Sequence, residues 1–158
     1  MEIYFNITLQ GIYNAQVLLN KISNNTQFDS VRDSLYYHLF SLIHSAGDIY
    51  ARLKNKKLLD ALPSNERNFF LSFIYLNNQI KHDPDLNIIY YEVYGSTFPM
   101  RLPFRFGSPG VYWADFQDHG KSKEAKRLYY DLYLNHKDIS YTLKQLEEVI
   151  LKYKNIIN

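Results

Sequence analysis

Apolar residues recur at helical spacing along most of the chain, and the breaks between these runs divide it into four helices. A first helix is predicted from about residue 7 to 22, with Leu9, Ile12, Tyr13, Val17 and Leu19 or Ile22 on its inner side. "SNNTQ" interrupts that pattern. Asp29 or Ser30 is expected to cap a second helix, with Asp33 three residues after Ser30 in the manner of a capping box. Its stripe of Leu35, Leu39, Leu42, Ile43, Ala46, Ile49 and Leu53 is long enough for this helix to span the molecule. After the basic connection "KNKKLLDALPSN", Ser64 is expected to cap a third helix, with Glu66 in the first turn, where the helix dipole favours an acid. Phe69, Phe70, Phe73, Ile74, Tyr75, Leu76 and Ile80 are its apolar residues. It should end near His82, because Asp83 precedes Pro84 and is pushed toward extended conformations.

The pattern then changes. Residues 87 to 114 are rich in strand formers and punctuated by Gly95, Pro99, Pro103 and "GSPG", which predicts a small hairpin or meander with proline-marked edges. A last helix is predicted from about Ser122 to Lys154, bending near Asn135, with Leu128, Leu132, Ile139, Leu143, Leu146, Ile150 and Tyr153 inward. Glu147 and Glu148 fall on its outer face. The expected fold is mainly α: an antiparallel bundle of four main helices, with the hairpin inserted between the third and fourth, in one domain over residues 1 to 158.

Composition narrows the function classes. The chain has 158 residues, 46% hydrophobic and 22% charged, which are globular values. It has no cysteine, so a disulfide framework, a thiolate metal site and a thiol nucleophile are excluded, and a reducing cytoplasm is the expected compartment. "MEIYFNITLQGIYNAQ" lacks the basic and apolar regions of an export signal, and no apolar run is long enough for a membrane span. A net charge of +2 does not by itself predict nucleic-acid binding, so a basic surface would have to be local. Fifteen tyrosines and ten phenylalanines supply core edges or stacking platforms.

The candidate chemistry sits in "FIYLNNQIKHDPDL" at the end of the third helix. Asn78 and His82 are one turn apart on one face, while Asn77 lies roughly 140° round from the histidine. The negative end of the dipole and Asp83 both favour a protonated imidazole there. Such a cluster fits a polar helix end, a ligand site, or a group that exchanges a proton.

"NNQIKHD" resembles the signature of the HEPN superfamily, small prokaryotic helical proteins whose motif is an arginine, usually a polar residue, variable positions and a histidine. Asn77 occupies the arginine position here. The resemblance implies a homodimer and a metal-independent ribonuclease that acts through 2′-hydroxyl attack, needs no cofactor, and belongs to a toxin-antitoxin or phage defence system. His82 would be the acid/base, Asn78 its orienter, and Asn77 a weakened substitute for the cation. It also implies an alternative, a catalytically inactive module that recognises RNA, a nucleotide, or a protein partner of nucleotidyltransferase or antitoxin type. An amide lacks the charge and bidentate fork of a guanidinium, so the substitution favours the inactive form. Arg67 is roughly 22 Å up the same helix from His82, too far to substitute.

Lys81, Arg101, Arg105, Lys126 and Arg127 are the candidate RNA or phosphate contacts, the last two from the basic run "KSKEAKR". "RLKNKK" at 52 to 57 is a second basic run, and Tyr129, Tyr130 and Tyr133 are candidates either for stacking bases or for closing the bundle. His44 and Asp48 stand one turn apart on the second helix, where a histidine and an orienting carboxylate can couple, and Gly47 between them thins the backbone for a close neighbour. No third ligand stands at metal spacing, and His38 lies off that face. No P-loop is present. A bundle outside this superfamily, carrying an aromatic interaction hairpin, is the remaining reading.

Overall fold

The computed structural model describes residues 1–81, 88–91, 109–115 and 124–157, with side chains from Arg127 onward in the last segment. The described residues form five α-helices, a single 3-10 turn and one two-stranded antiparallel sheet. The helices are α1 (Glu2–Leu19), α2 (Asn25–Asn55), α3 (Ser64–Ile80), α4 (Glu124–Tyr133) and α5 (Ile139–Ile157); the strands are β1 (Ile88–Tyr91) and β2 (Gly110–Trp113).

Helix α1 starts earlier than its apolar periodicity predicts; Ile12 and Leu19 are buried as expected, but the rest of the inward face differs. Phe5, Thr8, Gly11, Ile12, Ala15 and Leu19 face inward, while Tyr13 and Val17, expected inside, are exposed. The small residues decide this, because they let α2 approach. A Cβ on Gly11 would stand 2.8 Å from Leu42 Cβ, and the Thr8 and Ser45 hydroxyls are 2.6 Å apart in a buried pair. Pairing of Gly11 with Leu42, Thr8 with Ser45 and Tyr4 with Arg52 shows that α1 and α2 run antiparallel.

"SNNTQ", which reads as a breaker, is the start of α2 rather than a gap before a cap at Asp29 or Ser30. Asn24 is the N-cap: its side chain accepts from Gln27 N at 2.9 Å, and Gln27 Oε1 reaches back to Ser23 N at 2.7 Å. Asparagine is among the strongest caps, and the returning glutamine satisfies another backbone donor. The predicted stripe from Leu35 to Leu53 is fully buried. The helix ends in a Schellman turn, with Leu58 N on Leu53 O and Lys57 N on Lys54 O, and Lys57 takes the left-handed position at φ 58°.

Ser64 is the first residue of α3, not its cap; Pro63 precedes it without a side-chain cap bond. The helix is buried nearly all round, Ser72, Asn77 and Gln79 included, because it packs against α2, α4 and α5.

The predicted last helix is two helices. At residues 134–138 the backbone turns away to pair with β2: His136 N donates to Trp113 O, Trp113 N donates to Lys137 O, and His136 adopts φ 57°. Helical hydrogen bonds cannot continue through that position, so the break resets the helical phase. Leu128 and Leu132, expected inward, are 64% and 59% exposed, and Tyr130 and Leu134 fill the core instead. From Ile139 the expected stripe holds, with Leu143, Leu146, Ile150 and Tyr153 buried.

Within the predicted 87–114 segment, β1 and β2 pair with Ile88 opposite Trp113 and Tyr90 opposite Val111, all four buried. Trp113 anchors the sheet, its Nε1 donating to Thr142 Oγ1 at 2.8 Å and its ring edge-on to Phe73.

Candidate functional site

Asn77, on the α2-facing side of α3, is only 3% exposed. Its Oδ1 lies 2.7 Å from His44 Nδ1 on α2. An amide oxygen only accepts, so Nδ1 carries the hydrogen, and whenever the ring is neutral Nε2 is an acceptor. His44 itself is exposed, with the Phe40 ring 5.9 Å from its own. Gly47 makes this contact possible, because a Cβ there would fall 2.1 Å from Asn77 Nδ2. The close neighbour for which Gly47 leaves room is therefore Asn77. Asp48, the expected partner of His44, is exposed and makes no hydrogen bond or ion pair with it. His38 stands against Tyr37, away from this contact.

Of the residues expected at the end of α3, Asn78 is half-buried and Lys81, at the C-cap, is exposed. His82, Arg101 and Arg105 lie outside the described residues, as does the side chain of Lys126. The Asn78–His82 pairing is therefore not on view, and Asn77 is joined to a histidine that the motif does not contain.

Arg127 is built into the protein. Its guanidinium bonds both oxygens of Asp131 at 3.0 and 3.1 Å, pairs with Asp115, and lies 5.9 Å from the Tyr130 ring centre. Burial works against its charge, but hydrogen bonds with Asp131, Tyr75 and Asp115 outweigh this and hold its pKa above the ordinary arginine value. Tyr130 is fully buried and donates its hydroxyl hydrogen to Ala114 O. Burial raises its pKa, opposed by the Arg127 charge and reinforced by Asp115. Tyr133 packs edge-on against Phe69, so two of the three candidate stacking tyrosines belong to the interior packing.

In the other basic run, Arg52 covers the Tyr4 ring at 4.5 Å and donates to its hydroxyl. With Met1, Asn55 and Lys56 it lines an open hollow of about 260 Å³. Arg52 is eight residues beyond His44, roughly 12 Å along α2. Among the described residues no cluster of His, Cys, Asp or Glu is arranged to hold a metal, and no helix is long and apolar enough to cross a membrane.

Sequence periodicity could not have found the His44–Asn77 contact, because it joins two helices; the signal available was Gly47 in the interior of a long helix. No family model matches the chain, and no curated protein or solved structure matches it.

Proposed function

We propose that the protein is a HEPN-like helical bundle that binds RNA at the C-terminal end of α3 without cleaving it, as a homodimeric module of a prokaryotic defence or toxin-antitoxin type system. The observation that carries this reading is the state of Asn77. At the position where the motif has its arginine stands a neutral amide, buried and engaged by His44. A guanidinium there would meet phosphate with a permanent charge and two parallel donors, and loss of such stabilisation typically costs a factor of about 100 to 1,000 in rate. Arg127 is held by Asp115 and Asp131. Binding needs less than turnover: a cation such as Lys81 and polar groups at the helix end suffice for a phosphate backbone. A nuclease reading, with His82 as acid/base and Asn77 and Asn78 polarising the phosphate, requires a cation from Arg101, Arg105 or the partner subunit.

Incubation of the purified protein with total RNA in chelator separates the two. The expected result is salt-sensitive RNA retention on a filter with no new fragments. Fragments made by the native protein and not by His82→Ala would overturn the proposal, as would growth arrest on overexpression that His82→Ala relieves. Failure to retain RNA at low salt would overturn RNA binding itself.

A further inference from the structure

We propose that His44 reads the ligand, accepting a hydrogen bond at Nε2 from a ribose 2′-hydroxyl, with Asn77 as its positioning residue. This rests on RNA being the ligand of the α3 end. Three departures from ordinary helix chemistry meet at one point: a glycine inside α2, a buried asparagine in α3, and an exposed histidine tied to it. Glycine inside a helix costs about 1 kcal/mol relative to alanine, and a buried amide must recover its desolvation. What the arrangement secures is an imidazole with one tautomer and one orientation. Nδ1–H is consumed by Asn77, and among the described residues Nε2 has no partner. An acceptor fixed at the surface is complementary to a hydroxyl donor, the group that RNA has and DNA lacks.

The surroundings fit one nucleotide unit. α3 begins beside the end of α2, and Asn77, near its far end, meets His44 well back along α2, so the two helices run antiparallel. Lys81, four residues after Asn77, stands one turn further along the same face of α3, placing a cation roughly 6 Å along the axis. Tyr37, two turns before His44 on the same face of α2, is 70% exposed and falls on the Lys81 side, where its ring can stack a base. Asp48, exposed one turn the other way, keeps phosphate toward the Lys81 end.

The test uses fluorescence anisotropy with the full chain and two labelled single-stranded probes of one sequence, ribose and deoxyribose. The native protein should prefer the ribose probe by about tenfold, the value of one hydrogen bond. His44→Phe should bring the ratio to about one, and His38→Phe should leave it unchanged. In ¹⁵N NMR, His44 should show a protonated Nδ1 and an unprotonated Nε2, with the Nε2 signal shifting on addition of the ribose probe only. No binding of either probe by the native protein sinks the RNA reading. Ribose preference that persists in His44→Phe, or a protonated Nε2 in the neutral ring, overturns the role of His44 alone.

Discussion

His44 with Asn77, and Arg127 with its carboxylates, are both polar constellations at helix contacts, yet they finish in opposite ways. Around Arg127, charge and hydrogen bonds close on one another: Asp131 and Asp115 take the guanidinium, and Tyr130 below it gives its hydroxyl to Ala114 O. At His44 the buried partner's Oδ1 is engaged, and the exposed ring has no partner at Nε2 among the described residues. A closed network gives geometry to the fold; in the proposal above, the half-open one gives geometry to a ligand. In the basic run "KSKEAKR", the charge of Arg127 is visible in sequence and the carboxylates that pair with it are not.

Several measurements sharpen this contrast. The largest effect is expected at the open site. Gly47→Ala forces the buried Asn77 amide to move, and should destabilise the protein by about 2 kcal/mol in chemical denaturation despite alanine's better helix propensity. The double change Gly47→Ala with Asn77→Ala should recover most of that loss; if it does not, the clash is not the cause. At the closed network, Tyr130→Phe leaves Ala114 O without its donor and should cost about 1 to 2 kcal/mol.

The same tyrosine gives a pH test. Its folded pKa is raised, chiefly by burial, so the unfolded chain releases the proton first. Its contribution to stability is therefore complete below the ordinary tyrosine value of about 10 and declines as pH rises beyond it. Tyr153, pushed up to about 12 mainly by burial, loses its contribution between about 10 and that value. The alkaline arm of stability should flatten in Tyr130→Phe and be unaltered in His44→Phe. The smallest effect lies outside both regions: Lys57→Gly relieves a left-handed lysine at the end of α2 and should stabilise by roughly 0.5 to 1 kcal/mol.

Much of the architecture was legible. The α2 stripe, the aromatic load of α3 and the apolar residues of α5 all lie where their spacing put them, because burial of one continuous face is a local and periodic demand. On α1, Ile12 and Leu19 lie inward as their spacing predicts, but Tyr13 and Val17 do not, because the contact is completed by Gly11, Thr8 and Ala15, whose smallness matters only once a second helix is in place. The break at residues 134–138 was visible as a bend near Asn135. Its completeness was not, since it depends on backbone hydrogen bonds to Trp113, a residue of β2 far back along the chain.

Sequence by itself therefore determined a mainly helical chain with a strand pair between its third and fourth helical segments, since periodicity and turn chemistry act over a few residues. Tertiary structure alone decided which polar groups meet. Asn77 in α3 and His44 in α2 meet only when the two helices pack, and Gly47 sets how closely they do so. Hydrogen bonds reach about 3 Å, a distance that only packing brings within range of residues remote in sequence.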